Sequence, residues 1–252
     1  MIRVSIITIC RNAESTIEST IQSVLAQTHP NIQYIIVDGL STDSTMSVVS
    51  KYQDKISVVV SEKDKGLYDA LNKGISLADG DVIGVVHADD VLASNDIISV
   101  ISDEFVKDHS LMSVIGDIAF VNERGKQVRY YSSRSWNPSL FRYGMMPPHP
   151  SFYCRRQLFE QYGVYRTDFK IGSDYELLLR FLSIHWISFR YVSRLFVLMK
   201  PGGISTSGIS SFLTINKEIM RASRMHKIKT NYLFVFSRYL VRIFQFFPLK
   251  QR

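Results

Sequence analysis

Four short apolar runs, each rich in β-branched residues, alternate with helix-patterned segments over the first ninety residues. The runs are RVSIITIC (3–10), IQYIIVDG (32–39), ISVVVSE (56–62) and DVIGVVHADD (81–90). Between the first two, Ile17, Ile21, Val24 and Leu25 recur at helical spacing within 13–27. The segment 42–52 begins with Ser/Thr/Asp capping chemistry, and 66–78 gathers Leu67, Ala70, Leu71 and Leu77 on one side. Strands joined by helices must cross over in the right-handed sense, giving a parallel sheet covered by helices on both faces. Ligands of such sheets sit at the carboxyl ends of the strands. Asp38, Glu62, Asp89 and Asp90 all fall at those ends.

The adjacent carboxylates Asp89 and Asp90 repel each other, so a positive group is expected between or beside them. A divalent cation fits, since Mg²⁺ and Mn²⁺ take one or two carboxylates and complete their shells with phosphates and water. Asp38 can accept from the N–H edge of a nucleobase, and Asp43 reads as a helix cap. Asp64, Lys65 and Gly66 form a loop where the backbone can approach a ligand. Asn72 and Lys73 are ambiguous between site and solvated surface. No G-x-G-x-x-G follows the first strand and no G-x-x-x-x-G-K-[ST] occurs, which removes the dinucleotide and P-loop readings.

The second half carries a different charge. Residues 1–125 hold 9 Lys/Arg against 18 Asp/Glu, and 126–252 hold 21 against 5. Such a basic half points to an anionic partner. The basic residues are scattered and belong to no nucleic-acid module, so no nucleic acid is expected. Residues 111–135 read as strands around a turn at NERGK, 145–163 as a Pro-rich loop and helix, 174–184 as a helix, 186–200 as a strand and 201–208 as a Gly-rich loop. From Asn231 to Phe247 an apolar segment carries Arg238, Arg242 and Gln245 on one stripe. With Lys217, Arg221, Arg224, Lys227 and Lys229 nearby, it reads as a basic amphipathic helix lying in an anionic membrane interface. A helix packed on the domain or on a second subunit is the competing reading. Two cysteines without metal-ligand spacing, no leader-like segment and no long uncharged apolar run fit a reduced, cytoplasmic protein without a membrane span.

Three stretches in series, SIITICRNAESTIESTIQSVLAQTHPNIQYIIVDGLSTDST, DKGLYDALNKGISLADGDVIGVVHADD and PHPSFYCRRQLFEQYG…FKIGSDYELLLR, resemble the family-2 glycosyltransferases of the GT-A fold over roughly residues 1–205. The resemblance implies inverting transfer of a sugar from a nucleoside diphosphate with a divalent metal (Mn²⁺ or Mg²⁺). It implies that Asp38 binds the base, Asp89 the ribose or metal, and Asp90 the metal. Asp174 would be the general base and His149 would face the donor phosphate or the acceptor. Thr8 and Arg11 would contact the nucleotide. Many members carry an acid where this chain has His87, which leaves the direct metal ligand open between Asp89 and Asp90. Arg155, Arg156 and Lys200 are further candidates for neutralising phosphate.

The sequence thus leads to an α/β protein with a mainly parallel central sheet, flanked by helices, and a C-terminal helical extension. Its expected organisation is a GT-A domain at 1–210, split into a nucleotide-binding half (1–110) and an acceptor-binding half (111–210), followed by basic helices at 211–252. The expected activity is transfer from a UDP-sugar to a lipid-linked glycan in surface polysaccharide synthesis, by an enzyme peripheral on the inner face of a membrane, with a homodimer open. A sugar-phosphate nucleotidyltransferase and a non-catalytic nucleotide-sugar or membrane binder are the alternatives. The first is disfavoured because TICRNAEST contains no glycine.

Overall fold

The computed structural model describes residues 1–202 and 208–244. The inner part of the expected Gly-rich loop (203–207), residues from Gln245 onward and the side chains of 242–244, Arg242 among them, lie outside the described residues. The first strand, β1 (Val4–Cys10), is buried along its whole length. It is the middle of a parallel set with β2 (Ile32–Asp38), β3 (Val58–Ser61) and β4 (Val82–Val85), in the order β3-β2-β1-β4. The crossovers are α1 (Ile17–Leu25), α2 (Thr45–Ser50) and α3 (Leu67–Leu77). Period-2 alternation sends Val4, Ile6 and Cys10 to one apolar cluster and Ile7 and Ile9 to the other. β1 is therefore the shared wall of two cores.

After β4 the chain makes the short β5 (Val91–Leu92), α4 (Ile97–Lys107) and a hairpin of β6 (Ser113–Val121) and β7 (Gln127–Tyr131) around the expected NERGK turn. The strand β8 (Phe152–Arg155) was not legible in the sequence. It pairs antiparallel with both β4 and β6 and joins the two halves of the sheet. The helices α5 (Gln157–Tyr162) and α6 (Ser173–Leu179) precede β9 (Phe189–Met199), which runs parallel to β6 and antiparallel to β5. The central sheet has nine strands. Its parallel character holds over the first four strands and the β6–β9 pair, and the remaining pairings are antiparallel.

Two helices close the described chain, α7 (Ile209–Met225) and α8 (Tyr232–Phe244). Both pack on the domain: Ile219, Met220 and Ala222 of α7 and Val235 of α8 belong to the same apolar cluster as Leu177 and Leu178 of α6. Of the expected polar stripe of α8, the described member is Arg238, and it is buried. Arg238 points inward, donating to the Gly144 carbonyl (3.1 Å) and to Asn216 Oδ1 (3.0 Å). The outward side carries Tyr232, Leu233, Phe236, Leu240 and Val241. Among the described residues no helix is long and apolar enough to cross a membrane.

The β4–β8 contact is close-packed. A Cβ at Gly84 would run into the ring of Tyr153, which is fully buried and flanked edge-on by Phe196 at 6.1 Å between ring centroids. Overpacking a rigid core of this kind costs about 1–3 kcal/mol. Gly84→Ala should lower the midpoint of denaturant unfolding by a corresponding amount without changing the fold by circular dichroism.

Candidate active site

The carboxyl ends of β1 and β4 open on a cleft of about 600 Å³. Its lining brings together Arg11, Asp64, Gly66, Asp89, Asp90, His149 and Asp174, all expected from the sequence, along with His87, Tyr68 and Lys170. Three expected residues, Thr8, Asp38 and Lys65, are not on the lining. Thr8 shares the strand parity of Ile6 and Cys10, so its side chain enters the core and donates to the Val86 carbonyl at 2.8 Å. Asp38 is fully buried, and its carboxylate accepts from the Ser41 amide (3.0 Å), the Ser61 hydroxyl (2.6 Å) and the Ser41 hydroxyl. Lys65 faces solvent, its amide donating to Asp69 at 3.0 Å. Arg155 and Arg156 spend their guanidinium groups on backbone carbonyls and Glu160.

Asp38 serves the site indirectly. The Ser41 hydroxyl that it holds accepts from the Asn12 amide at 2.8 Å, and Asn12 Oδ1 accepts from the Thr42 amide at 2.8 Å. Asn12 sits at φ 51°, a left-handed conformation that Asn tolerates better than most residues. Asp43, expected as a cap, lies one residue before Ser44, the N-cap of α2, and accepts from the Thr45 amide (2.9 Å). The motif at 37–45 thus pins the β1–α1 loop that presents Arg11. Asp64 is ion-paired with Lys73 (2.5 Å), and Glu62 shares that lysine (2.8 Å). These bonds hold the Lys73 ammonium above its ordinary pKa.

Asp90 is 1% exposed, and neither carboxylate oxygen has a hydrogen-bond partner. Burial and the adjacent charge of Asp89 push it well above the usual carboxylate range. A buried carboxylate without donors is costly unless a cation compensates it. Among the described residues no set of three or more His, Cys, Asp or Glu is placed to hold an ion. The Asp89–Asp90 pair has the oxygen chemistry that a hard cation takes when phosphate and water complete its shell. His87 lies beside the pair, and its ring is 5.8 Å from that of His149. His149 Nε2 is 2.6 Å from the Tyr165 hydroxyl. Burial, with His87 nearby, lowers the His149 pKa to about 3, so the ring is neutral.

Asp174 is the second residue of α6, whose N-cap is Gly172. Its Oδ1 accepts from the Tyr175 amide at 2.7 Å. It lines the cleft and also a smaller space of about 260 Å³ beneath α7 and α8, with Trp136, Ile215, Ile219 and Arg238. Desolvation raises its pKa to about 6; the Tyr175 amide and Arg238 oppose the shift and Glu218 adds to it. The loop before it is gripped from two sides. The Tyr68 hydroxyl donates to the Ile171 carbonyl and accepts from the Ser173 amide at 3.1 Å. Glu218 of α7 accepts from the amides of Lys170 (2.7 Å), Ile171 (2.9 Å) and Gly172 (2.8 Å). Glu218 lies outside the quoted stretches, and Tyr68 lies within DKGLYDALNKG without being singled out there. The one available signal is that Glu218 is the sole acid among residues 213–252.

Residues 5–170 match the profile of Glycosyl transferase family 2. The chain belongs to that family. It is 26% identical over 192 residues to a PGL/p-HBAD biosynthesis glycosyltransferase of Mycobacterium bovis, covering 75% of this chain and 73% of that one. It is 40% identical over 90 residues to the putative teichuronic acid biosynthesis glycosyltransferase TuaG of Bacillus subtilis, covering 34% and 36% of the two chains. Among solved structures, S. aureus TarS residues 1–349 in complex with UDP-GlcNAc superposes with a TM-score of 0.72 at 19% identity, over 97% of this chain and 73% of that one. The match to another TarS 1–349 structure spans 65% of that chain.

In this family-2 glycosyltransferase the unpartnered oxygens of Asp90 give a direct test. Asp90→Asn keeps the shape of the side chain and removes the cost of ionising a buried carboxyl, so the metal-free variant should lose less stability than the unsubstituted protein as pH rises above the ordinary carboxylate range. Mn²⁺ should raise the melting temperature of the unsubstituted protein and leave that of the variant unchanged. Differential scanning calorimetry against pH, with Mn²⁺ and with EDTA, reads both.

Proposed function

We propose that the protein moves a sugar, with inversion, from a nucleoside diphosphate donor to a hydroxyl of a lipid-linked glycan during surface polysaccharide synthesis. The observation that carries this reading is the position of Asp174. One carboxylate borders both the larger cleft and the smaller space, as a base between donor and acceptor must. The donor occupies the cleft, its diphosphate toward Asp89 and Asp90 and within reach of Arg11 and Lys170. A divalent cation held by the pair supplies charge neutralisation for the leaving diphosphate. The acceptor enters the smaller space. Asp174 takes the proton of the acceptor hydroxyl, the freed oxygen bonds to the anomeric carbon, and the carbon–oxygen bond to the diphosphate breaks with its electron pair on the nucleotide. UDP is the preferred nucleotide, supported by the UDP-GlcNAc complex of the TarS neighbour. The teichuronic acid role in the name of TuaG supports a cell-surface glycan product.

The lipid link rests on the outward face of α8. Leu233 is 80% exposed and Leu240 64%, and Phe236 stacks on Phe212 of α7 at 6.1 Å between ring centroids, so the apolar surface continues across both helices. Exposed apolar patches of this kind mark membrane or protein contacts. Lys217, Arg224, Lys227 and Lys229 are exposed on α7 and the turn after it, and favour an anionic lipid surface. Val241 of the same face also lines the smaller space, next to where a lipid-borne acceptor would enter.

Asp174→Asn should reduce transfer by about 10²–10⁴-fold, the usual contribution of a general base, while UDP still binds in calorimetric titration with Mn²⁺. In the unsubstituted enzyme the base must be ionised, so the rate should climb as pH rises through about 6 and level off above it. If Asp174→Asn keeps its rate, this carboxylate is not the base. For the membrane contact, the double substitution Leu233→Glu and Leu240→Glu leaves the packed side of α8 untouched. It should shift the protein from sedimenting with vesicles containing anionic phospholipid to the supernatant; continued sedimentation would show that the face is not the contact.

A further inference from the structure

The geometry points to Glu218, on the C-terminal helix α7, as the residue that positions the catalytic loop. The inference rests on Asp174 acting as the base. Three consecutive amides, those of Lys170, Ile171 and Gly172, end on one carboxylate at 2.7–2.9 Å. Glu218 is nine-tenths buried, and Cβ and Oε2 of its side chain lie 3.1 and 3.3 Å from where a Cβ on Gly172 would stand. A buried carboxylate satisfied by three N–H donors is a strong, charge-assisted anchor. Only an ionised carboxylate does this: a glutamine has one acceptor oxygen, and its NH₂ would face a donor.

The anchored loop borders the site directly. Lys170 and Ile171 line the donor cleft, and Ile171 with Asp174 also lines the smaller space. From the opposite side the loop is held by Tyr68 of α3. Asp174 is therefore set between one hydroxyl from the nucleotide-binding half and one carboxylate from the C-terminal extension. Bond and charge act on it separately. The three hydrogen bonds fix where its carboxylate stands, and the negative charge of Glu218 helps keep its pKa raised. The other charged or titratable groups around Asp174 are Arg238 from α8, Tyr68 from α3, Tyr165 and the Lys170 side chain in the cleft. A family-2 glycosyltransferase truncated before α7 would keep every motif residue and lose this anchor.

The test compares Glu218→Gln and Glu218→Asp in the full chain. Hydrogen–deuterium exchange of the amides of 170–172 reads the anchor without any substrate, and both variants should exchange faster there while α1 and α4 stay protected. The rate of UDP release is then followed against pH, using whichever of UDP-GlcNAc, UDP-Glc or UDP-Gal the unsubstituted protein cleaves fastest. In both variants kcat should fall about 10- to 100-fold, as for a misplaced catalytic group, with UDP affinity changing far less. The acid limb should move to lower pH in Glu218→Gln, which removes a charge that raises the Asp174 pKa. It should stay in place in Glu218→Asp, which keeps the charge but cannot reach all three amides. Unchanged exchange at 170–172, or an unchanged kcat and pH limb in a folded Glu218→Gln, would overturn the assignment. Asp174→Asn separates the two readings. If that variant releases UDP at the full rate, the functional reading fails. If it is inactive while Glu218→Gln is unimpaired, only the role of Glu218 fails.

Discussion

Seven consecutive buried residues in β1 leave that strand no face for water. Everything in the first half answers this demand. β1 must be flanked on both edges, which β2 and β4 do, and roofed on both faces, which the two apolar clusters do. Parallel flanking strands require crossovers, and crossovers bring all the strand ends of one polarity to one rim. The cleft is this rim. Its acids are there because the strands end there, and the loops between carry the polar residues that no core position could accept.

Inside the site the governing quantity is desolvation. It raises Asp90 and Asp174 alike, yet the two are treated differently. Asp90 has no donors and has a like charge beside it, an arrangement that invites a cation. Asp174 has the Tyr175 amide and the charge of Arg238 against desolvation and the charge of Glu218, which together leave it at about 6. Two carboxylates in one cavity are thereby given different electrostatic surroundings by the residues around them.

Much of the first half was legible in sequence because period-2 and period-3.6 patterns are local. The strands β1 to β4, the NERGK hairpin and the gathering of Arg11, Asp64, Gly66, Asp89, Asp90, His149 and Asp174 in one cleft all followed from pattern and resemblance. The misses have particular causes. Thr8 was placed at the nucleotide, although its parity with Ile6 and Cys10 directs it into the core. Asp38 lies at a strand end, but serine partners at 41 and 61 draw it inward, and such partners are set by tertiary approach. β8 is four residues long and follows a proline loop, too short for periodicity to register. The pattern of α8 puts Arg238 on the polar stripe of an interfacial helix, with packing on the domain as the competing reading. The fold instead offers Arg238 a carbonyl, an amide oxygen and a phenol inside, which only the folded partners could reveal.

That buried arginine has a mechanical consequence. Lifting α8 from the domain would strand the guanidinium and open the cluster around Val235, so the helix cannot swing out as a hinged anchor. Whatever surface its leucines adhere to, the whole domain adheres with it, in one orientation. Val241 of that helix also lines the smaller space, so the wall of that space moves only if the packing of α8 moves with it.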